Sequence, residues 1–444
     1  MYAGAARIEI TPSKPVWMDG MLRNHPSEGV HDPLFACALV ISNEPDMRGT
    51  VAIASADLCR LPEFLTSRVR QTVEANLGIP AVNIVIAAKH IHSGPITSGD
   101  SGARTEYSRF LAPEGEAESE YARFLRDALV QVICNAASRL RPVRAGFASG
   151  REATISQYRR LLADDGHVVM NWEPYPSEHL LGPLGPIDPE LGVFNIVDMA
   201  GQMVCLLFNH AGHPNILSGD NYLISAEYPG FAERLLEKQL GGIAMFVNGA
   251  NGTMDIDGLG PRTWAEMERI GHRLAQAVAE TARGIEPAEG LPLRCASIRY
   301  HVPPRRITDA QLAWAEEILR VTGGKVQALA DGAGDDYKAA VYKQLRDTQN
   351  REITVEQLCI GLGETALLSF PGELYTEIGL RIKAESPFDR TLVLGLANGY
   401  VGYVPTRKAM QEGGYGEDIS EIEAEAEDIV MANSMSLLRR VHHS

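Results

Sequence analysis

Residues 50–56 read TVAIASA and residues 83–88 read NIVIAA, two apolar runs of the length of a buried strand. Between them, residues 61–77 carry apolar side chains at helical spacing. The three segments together predict a strand–helix–strand unit. Because the helix provides a crossover connection, we expect the two strands to be parallel within one sheet. This stretch therefore predicts an α/β fold.

The rest of the chain continues this alternation of strand-like runs and amphipathic helices. Residues 193–208 predict a hairpin around a central Ala-Gly turn, and residues 158–189, rich in turn residues, predict long loops. A polar helical stretch at residues 309–346 is interrupted at Gly323. We therefore expect a mixed α/β protein with large mixed β-sheets flanked by helices.

The composition is that of a soluble globular protein with a strong acidic excess. The 444 residues are 45% hydrophobic, with a net charge of -16 and a pI near 5.3. Because such a chain repels phosphates, we expect no nucleic-acid partner. No apolar run approaches the roughly 20 residues that span a bilayer, so no integral membrane association is expected. The N-terminus lacks a signal pattern, which predicts a cytoplasmic protein unless a signal segment has been removed.

Six cysteines are scattered through the sequence without any Cys-x-x-Cys pair. Most of them lie in apolar segments, which is typical of reduced, buried cysteines. The spacing therefore does not predict a thiolate metal site.

The first motif with chemical potential is KHIHSGP at residues 89–95. His90 and His92 follow directly on a predicted strand, and histidines at i and i+2 share one side of an extended chain. A loop at the end of a buried strand is a common place for ligand or metal binding. From this motif alone, two ordinary hydrogen-bonded histidines are an equally good interpretation.

A second motif, FNHAGHP at residues 208–214, also follows an apolar strand. His210 and His213 would share a face only in a helix, and this segment is not helical. We therefore expect only one of the two to be a ligand. A surface loop that carries two histidines is the alternative.

Three further segments carry polar groups at strand ends. Glu373 follows Pro-Gly at a strand-to-helix junction and could be aimed into a cleft, or could simply complement a helix dipole. Tyr403 and Tyr415 lie among glycines, where they could reach a site or pack as a lid. Residues 248–255 form a loop of small residues that allows close backbone approach to a ligand.

Together these segments resemble the neutral (non-lysosomal) ceramidase family, specifically its N-terminal catalytic domain. The run ARIEITP at residues 6–12 is similar to the opening of that domain. The run HIHSGP at residues 90–95 matches the family's His-Thr-His-Ser-Gly-Pro. The family's His-Pro, Pro-Gly-Glu and paired-tyrosine motifs follow in the same order along nearly the whole chain.

The resemblance implies a zinc ion held by four side chains, His90, His213, Glu373 and Tyr403. It also implies that His92 and Tyr415 face the scissile group as catalytic residues. An arginine of the family contacts the substrate; Arg159 is the best match here, with Arg160 as the alternative.

One loop departs from the family pattern. The family has roughly Gly-Asp-x-Ser-Pro, with a serine that contacts the substrate. Here Thr253 replaces the aspartate and Asp255 replaces the serine. We expect both residues to contact the substrate, with Asp255 binding a cationic or hydroxylated part of a molecule more polar than ceramide.

These observations predict a zinc-dependent hydrolase that cleaves an N-acyl amide bond of a small polar molecule with metal-activated water. Hydrolysis of an ester, lactone or other C–O bond at the same metal is one alternative. A non-catalytic binding protein with structural zinc is another. The sequence leaves open whether the protein forms a homo-oligomer.

We expect residues 1–444 to form one catalytic domain, since the family's C-terminal immunoglobulin-like domain has no counterpart in them. A lobe boundary near residues 284–292, which are rich in proline and glycine, is the alternative.

Overall fold

A computed structural model of the protein describes residues 1–44, 47, 49–97, 119–256, 258–329 and 331–444. The strands among these residues, in chain order, are β1 (Tyr2–Glu9), β2 (Gly29–Val30), β3 (Phe35–Ser42), β4 (Val51–Ala56), β5 (Ile84–Ala88), β6 (Arg141–Arg151), β7 (Gln157–Tyr158), β8 (Arg160–Ala163), β9 (Val168–Met170), β10 (Leu180–Pro183), β11 (Glu190–Asp198), β12 (Met203–His210), β13 (Leu223–Ile224), β14 (Ile243–Asn248), β15 (Met254–Asp255), β16 (Leu293–Val302), β17 (Ile353–Leu362), β18 (Thr365–Ser369), β19 (Glu373–Leu374), β20 (Arg390–Leu394) and β21 (Tyr403–Val404).

The α-helices among the same residues are α1 (Glu63–Leu77), α2 (Glu120–Ala137), α3 (Glu227–Leu240), α4 (Trp264–Arg283), α5 (Asp309–Thr322), α6 (Asp335–Thr348), α7 (Thr376–Glu385), α8 (Arg407–Glu412), α9 (Tyr415–Ile419) and α10 (Ala426–His442). Two short 3₁₀ helices lie at Ala81–Asn83 and Ser177–His179.

Two mixed sheets form the framework. The larger has the strand order β14-β12-β11-β6-β1-β3-β4-β5, and the smaller has the order β16-β17-β18-β20. Strand β4 is parallel to β5, β12 to β14, and β18 to β20, whereas the other pairs in these sheets are antiparallel. Because every residue of β4 and β5 is buried, both strands read as continuous apolar runs.

The two sheets pack face to face, with helices on their outer faces. Strand β3 shows this division: Ala38 and Val40 pack with α1 and α2, whereas Leu39 and Ile41 join a core shared with the smaller sheet. Helices α3 and α4 cover the β11–β12–β14 region. Helices α7 and α10 cover the smaller sheet. The result is an arrangement of helix, sheet, sheet and helix layers, which confirms the predicted fold class.

Several predictions about the elements are confirmed. Strands β4 and β5 are parallel around α1, and β11 and β12 form an antiparallel hairpin. The polar helix is divided as predicted, since α5 ends at Gly323, which adopts a φ of 63°.

The prediction of long loops over residues 158–189 is wrong. This segment contains a three-stranded sheet with the order β10-β8-β9. Its strands are only three or four residues long, so they are too short for an alternating pattern to emerge among the turn residues.

Residues 284–292 connect α4, which covers the larger sheet, to β16 of the smaller sheet. A main-chain bridge between Ala145 and Ala288 holds this passage against β6. Among the described helices, none combines the length and apolar character needed to cross a bilayer.

Candidate metal and active site

The site begins where strands of the larger sheet end. Strand β5 leads into His90 and strand β12 leads towards His213. Asn248, the last residue of β14, ties the two loops together, because its Nδ2 donates to the carbonyls of Lys89 at 3.1 Å and Gly212 at 2.8 Å. One buried amide therefore fixes the backbone next to both histidines.

His90 is held in an unusual backbone conformation with a φ of 71°. Such a value is uncommon outside glycine and persists where the surroundings enforce it. The Nδ1 atom of His90 lies 2.9 Å from the carbonyl oxygen of Cys59, to which it can donate. That hydrogen bond selects the tautomer whose Nε2 lone pair is free to bind a metal.

Three potential ligands converge on one point. The Nε2 atoms of His90 and His213 lie 3.0 Å apart. The Oε2 atom of Glu373 lies 3.3 Å from Nε2 of His90 and 3.7 Å from Nε2 of His213. All three side chains are buried, so they form a compact cluster that could hold a metal ion.

Glu373 and Tyr403 come from the second part of the fold. They lie directly opposite each other in the parallel pair β19–β21. The hydroxyl of Tyr400 donates to Oε1 of Glu373 at 2.6 Å, which leaves Oε2 facing the imidazoles. Tyr403 lines the same pocket as the three ligands, so all four predicted ligands lie around one cavity.

The donor set suits zinc. Two imidazoles and a carboxylate are typical ligands of a zinc ion that keeps a position for water. The Oε2 atom of Glu373 is buried and accepts no hydrogen bond from the described residues, as expected for an oxygen whose partner is a cation. The described residues therefore fit the metal that the sequence predicts.

The charges of this cluster are strongly coupled. Burial favours a neutral Glu373, but the adjacent His90 and His213 outweigh burial and hold the pKa of Glu373 well below its usual range. Burial and the neighbouring His90 lower the pKa of His213 to about 3. A neutral imidazole is the form that binds a metal.

His92 lies beside the cluster, with its Nε2 atom 3.5 Å from Nε2 of His90. Burial, together with the charge of His90 and His213, holds the pKa of His92 well below its usual value. Its backbone N–H donates to the carbonyl of Pro214 at 3.0 Å. His92 is therefore a neutral, fixed group at the edge of the metal cluster.

Arg159 lines the pocket, and a cage of three aromatic rings surrounds its guanidinium group. Its guanidinium carbon lies 4.8 Å from the ring centre of Tyr403, 5.7 Å from Trp172 and 5.8 Å from Tyr415. Its Nε and Nη2 atoms are buried without a hydrogen-bond partner among the described residues. Arg160 pairs with Glu417 at 2.8 Å, and of the two arginines only Arg159 lines the pocket.

Thr253 and Asp255, from the loop that departs from the family pattern, have different surroundings in the structure. Asp255 lines the pocket and accepts a hydrogen bond from Asn215 at 3.3 Å. Thr253 does not line the pocket: its hydroxyl bonds to the backbone N–H of Thr376 at 3.2 Å. Its carbonyl accepts the N–H of Arg159 at 2.9 Å. The side chain of Thr253 therefore joins the loop to α7, whereas that of Asp255 faces the cavity.

Two ion pairs in the pocket wall were not predicted from the sequence. Arg60 donates through Nε to Asp19 at 2.9 Å and pairs with the other carboxylate oxygen as well. Arg262 pairs with Asp331. Neither pair belongs to a motif, and the partners are far apart in sequence, so no local signal marks them.

Comparison with known proteins agrees with the resemblance. No protein-family model matches the chain. Neutral ceramidase from Pseudomonas aeruginosa is 26% identical over 227 residues, which are 49% of this chain and 31% of that protein. The matched region thus spans about a third of the length of that relative.

Solved structures share the fold. The crystal structure of neutral ceramidase from Pseudomonas aeruginosa aligns with a TM-score of 0.74 at 20% identity, covering 98% of this chain and 74% of that one. A structure described as ceramidase complexed with C2 aligns with a TM-score of 0.74 at 19% identity, covering 100% of this chain and 75% of that one.

Proposed function

Because the chain is related to the neutral ceramidases, we propose that it is a zinc-dependent hydrolase that cleaves an N-acyl amide bond of a small polar molecule. The observation that carries the proposal is the convergence of His90, His213 and Glu373, whose ligand atoms are 3.0–3.7 Å apart. A zinc ion bound there supplies a Lewis acid and lowers the pKa of water to about 7.

The ligand cluster lines an open pocket, which supports a catalytic role over a structural one. A structural zinc site is normally closed by its protein ligands. Here the same pocket is lined by the three ligands and by His92, Arg159 and other polar groups. A substrate can therefore reach the cluster.

The surrounding side chains suit amide cleavage. His92, which is neutral and lies next to the metal ligands, is positioned to take up a proton and pass it to the leaving amine. Tyr415 lines the same pocket, with its ring centre 6.0 Å from that of Tyr403, and its hydroxyl is the candidate donor to a developing oxyanion. One good donor of this kind contributes about 3–4 kcal/mol. Arg159 adds a fixed positive charge beside the same space.

The pocket wall favours a small polar substrate over a long acyl chain. Asp255, Arg60 and Asp331 all line the cavity. An apolar chain laid against these groups would desolvate charges without replacing their hydrogen bonds, which is costly. Asp255, which is 1% exposed, is suited to binding an amine or hydroxyl of the substrate.

The first test is metal content and turnover. Purified protein is analysed by inductively coupled plasma mass spectrometry and assayed on short N-acyl amides and on esters with the same acyl group. We expect about one zinc per chain, and amide hydrolysis that is lost on chelation and restored by zinc. Faster cleavage of the matched esters would instead support the C–O hydrolase.

The matched variants are His213→Ala and His210→Gln. His213→Ala removes a proposed ligand and should lower both zinc content and turnover to about a hundredth or less. His210 comes from the same motif, but its Nε2 atom is bonded to the carbonyl of Glu152 at 3.1 Å, so His210→Gln should keep the metal. Full zinc occupancy and turnover in His213→Ala would refute the proposal.

A further inference from the structure

A cysteine lies at the inner end of the pocket. Cys59 is 2% exposed and lines the cavity beside the proposed zinc ligands. Its Sγ atom lies 3.7 Å from Nδ1 of His90. His92 contacts the other nitrogen of the His90 ring, with 3.5 Å between the two Nε2 atoms. One ligand atom from each of these three buried residues lies within 4.8 Å of the other two.

The 3.7 Å and 3.5 Å contacts use different nitrogens of His90, so the separations within one set of ligand atoms are given by the 4.8 Å limit. With a metal–sulfur bond of about 2.3 Å and metal–nitrogen bonds of about 2.0–2.1 Å, tetrahedral ligands are about 3.3–3.6 Å apart. A larger ion accepts wider separations. Shifts on the order of 1 Å or less would therefore close the three groups around an ion.

The donor chemistry differs from that of the neighbouring cluster. His213 and Glu373 offer nitrogen and oxygen, whereas Cys59 offers a soft, polarisable sulfur. Thiolates select soft cations, and carboxylates select harder ones. Two clusters that share one imidazole therefore differ in the class of ion that each prefers.

We propose that Cys59, His90 and His92 form a second cation site that binds soft, thiophilic metal ions such as Cd²⁺ and Cu⁺. The scattered cysteines did not predict a thiolate site, because the two histidines that complete it come from a distant motif. When the ion binds, the thiol releases its proton to solvent and a sulfur–metal bond forms.

Occupation of this site would inhibit hydrolysis. A ligand nitrogen of His92 would be taken up by the soft ion, and His90, whose Nδ1 already donates to the carbonyl of Cys59, has one nitrogen free and could bind only one of the two ions. This consequence, unlike the site itself, rests on the proposed function, in which both residues take part.

The test is titration of the full chain with Cd²⁺ after a chelator has removed zinc, followed by the ultraviolet absorption of the cadmium–thiolate bond. We expect one equivalent of Cd²⁺ to produce this absorption, and the absorption to be lost in Cys59→Ser and Cys59→Ala, which have no thiol at this position. The control is Cys134→Ser, since Cys134 lies on α2 and is only partly buried. This variant should behave like the wild type. Unchanged absorption in both Cys59 variants would overturn the proposal.

Two further measurements separate this site from the proposed function. His213→Ala keeps all three groups of the second site, so its cadmium–thiolate absorption should remain. Loss of the absorption in His213→Ala would show that the ion needs a zinc ligand, and its retention in Cys59→Ser would show that another thiol binds the ion; either result would overturn the proposal. If no substrate is hydrolysed but the Cys59-dependent absorption is present, the proposed function fails and the second site stands.

Discussion

Tyr400 shows how a single hydroxyl can orient a metal ligand. It donates to Oε1 of Glu373 at 2.6 Å, and its ring lies 5.0 Å from the guanidinium carbon of Arg60. Arg60 is in turn fixed by Asp19. This chain of contacts reaches Glu373 from the pocket wall, so the carboxylate is held with one oxygen towards the two imidazoles.

Removal of that hydroxyl should weaken the metal site without removing a ligand. In Tyr400→Phe, Glu373 loses the bond that selects its orientation, and we expect zinc affinity to fall about 10–100-fold. Competition with a chelating dye measures this change. The matched control is Tyr300→Phe, which removes a hydroxyl bonded to Gln357 in the smaller sheet. Equal zinc affinities in the two variants would contradict the role of Tyr400.

A buried carboxylate away from the metal predicts a dependence of stability on pH. Burial raises the pKa of Glu227 from its usual value near 4.5 to about 7, although its Oε1 accepts the N–H of Leu217 at 2.9 Å. Between these values the folded protein keeps a proton that the unfolded chain releases. The free energy of unfolding should therefore fall as pH rises through this window.

Glu227→Gln removes this titration and keeps an oxygen that can accept the same hydrogen bond. The difference in unfolding free energy between pH 4.5 and 7.5 should shrink by up to about 3 kcal/mol, because a tenfold change in proton affinity corresponds to about 1.4 kcal/mol. Urea unfolding at the two pH values measures it. Glu74→Gln changes an exposed glutamate on α1 and should leave the difference as it is in the wild type. An unaltered pH dependence in Glu227→Gln would contradict the prediction.

At the scale of elements, the connection between α5 and α6 forms one wall of the pocket. Asp331, Gly332 and Tyr337 from this region all line the cavity. Asp331 pairs with Arg262, which joins the connection to the loop that follows β15. Two helices with no motif of their own thus contribute directly to the shape of the site.

Gly332, in the connection between α5 and α6, lies next to Trp172 of the aromatic cage around Arg159. It adopts a φ of 68°, and a Cβ atom there would lie 2.7 Å from Nε1 of Trp172. In Gly332→Ala, Trp172 must therefore move, and the cage around Arg159 with it. We expect kcat/KM to fall about 10–100-fold, with a loss of stability of about 1–2 kcal/mol from the backbone.

The matched control is Gly323→Ala at the end of α5. Gly323 has a similar φ of 63°, but no atom lies within 4 Å of its added Cβ. Both variants should lose similar stability in thermal unfolding, whereas only Gly332→Ala should lose activity. The same fall in kcat/KM for both would show that the contact with Trp172 is not the cause.

The elements also show what a sequence pattern can predict. Strands β4 and β5 are buried on both faces, so their apolar runs are unmistakable. Strands β8 and β9 mix buried and partly buried residues, and β10 mixes partly buried and exposed ones, within three or four positions. Their structure depends on contacts with each other and with the pocket, which no local pattern contains.

At the scale of the whole molecule, the candidate ligands lie at positions that the motifs predicted, but their arrangement depends on tertiary contacts. The His-x-His motif predicted two histidines on one side of the chain, and His90 and His92 lie together. The contributions of Tyr400, Cys59 and Asp331 could not be predicted, because each acts through a partner distant in sequence.

The two sheets are joined next to the site by a buried side chain. The Nδ2 atom of Asn209 in β12 donates to the carbonyl of Val247 at 2.8 Å and to that of Val393 at 3.0 Å. Val247 belongs to the larger sheet and Val393 to the smaller one. The proposed ligands divide in the same way, since His90 and His213 follow strands of the larger sheet and Glu373 follows β18 of the smaller one.

A metal bound between the sheets should therefore stabilise the whole fold. Binding to the folded state alone adds RT ln(1 + [L]/Kd), about 4 kcal/mol when free zinc is a thousandfold above Kd. We expect the midpoint of thermal unfolding to fall by about 5 °C when a chelator removes the metal, and to recover when zinc is added. Differential scanning calorimetry measures both steps. In His213→Ala the ligand contributed by β12 is missing, so chelator and zinc should leave the midpoint almost unchanged. If zinc raised the unfolding midpoint of His213→Ala as much as that of the wild type, the stabilising ion would not need His213. The ion would then bind at another place in the fold, and the link between the two sheets would not depend on the proposed ligands.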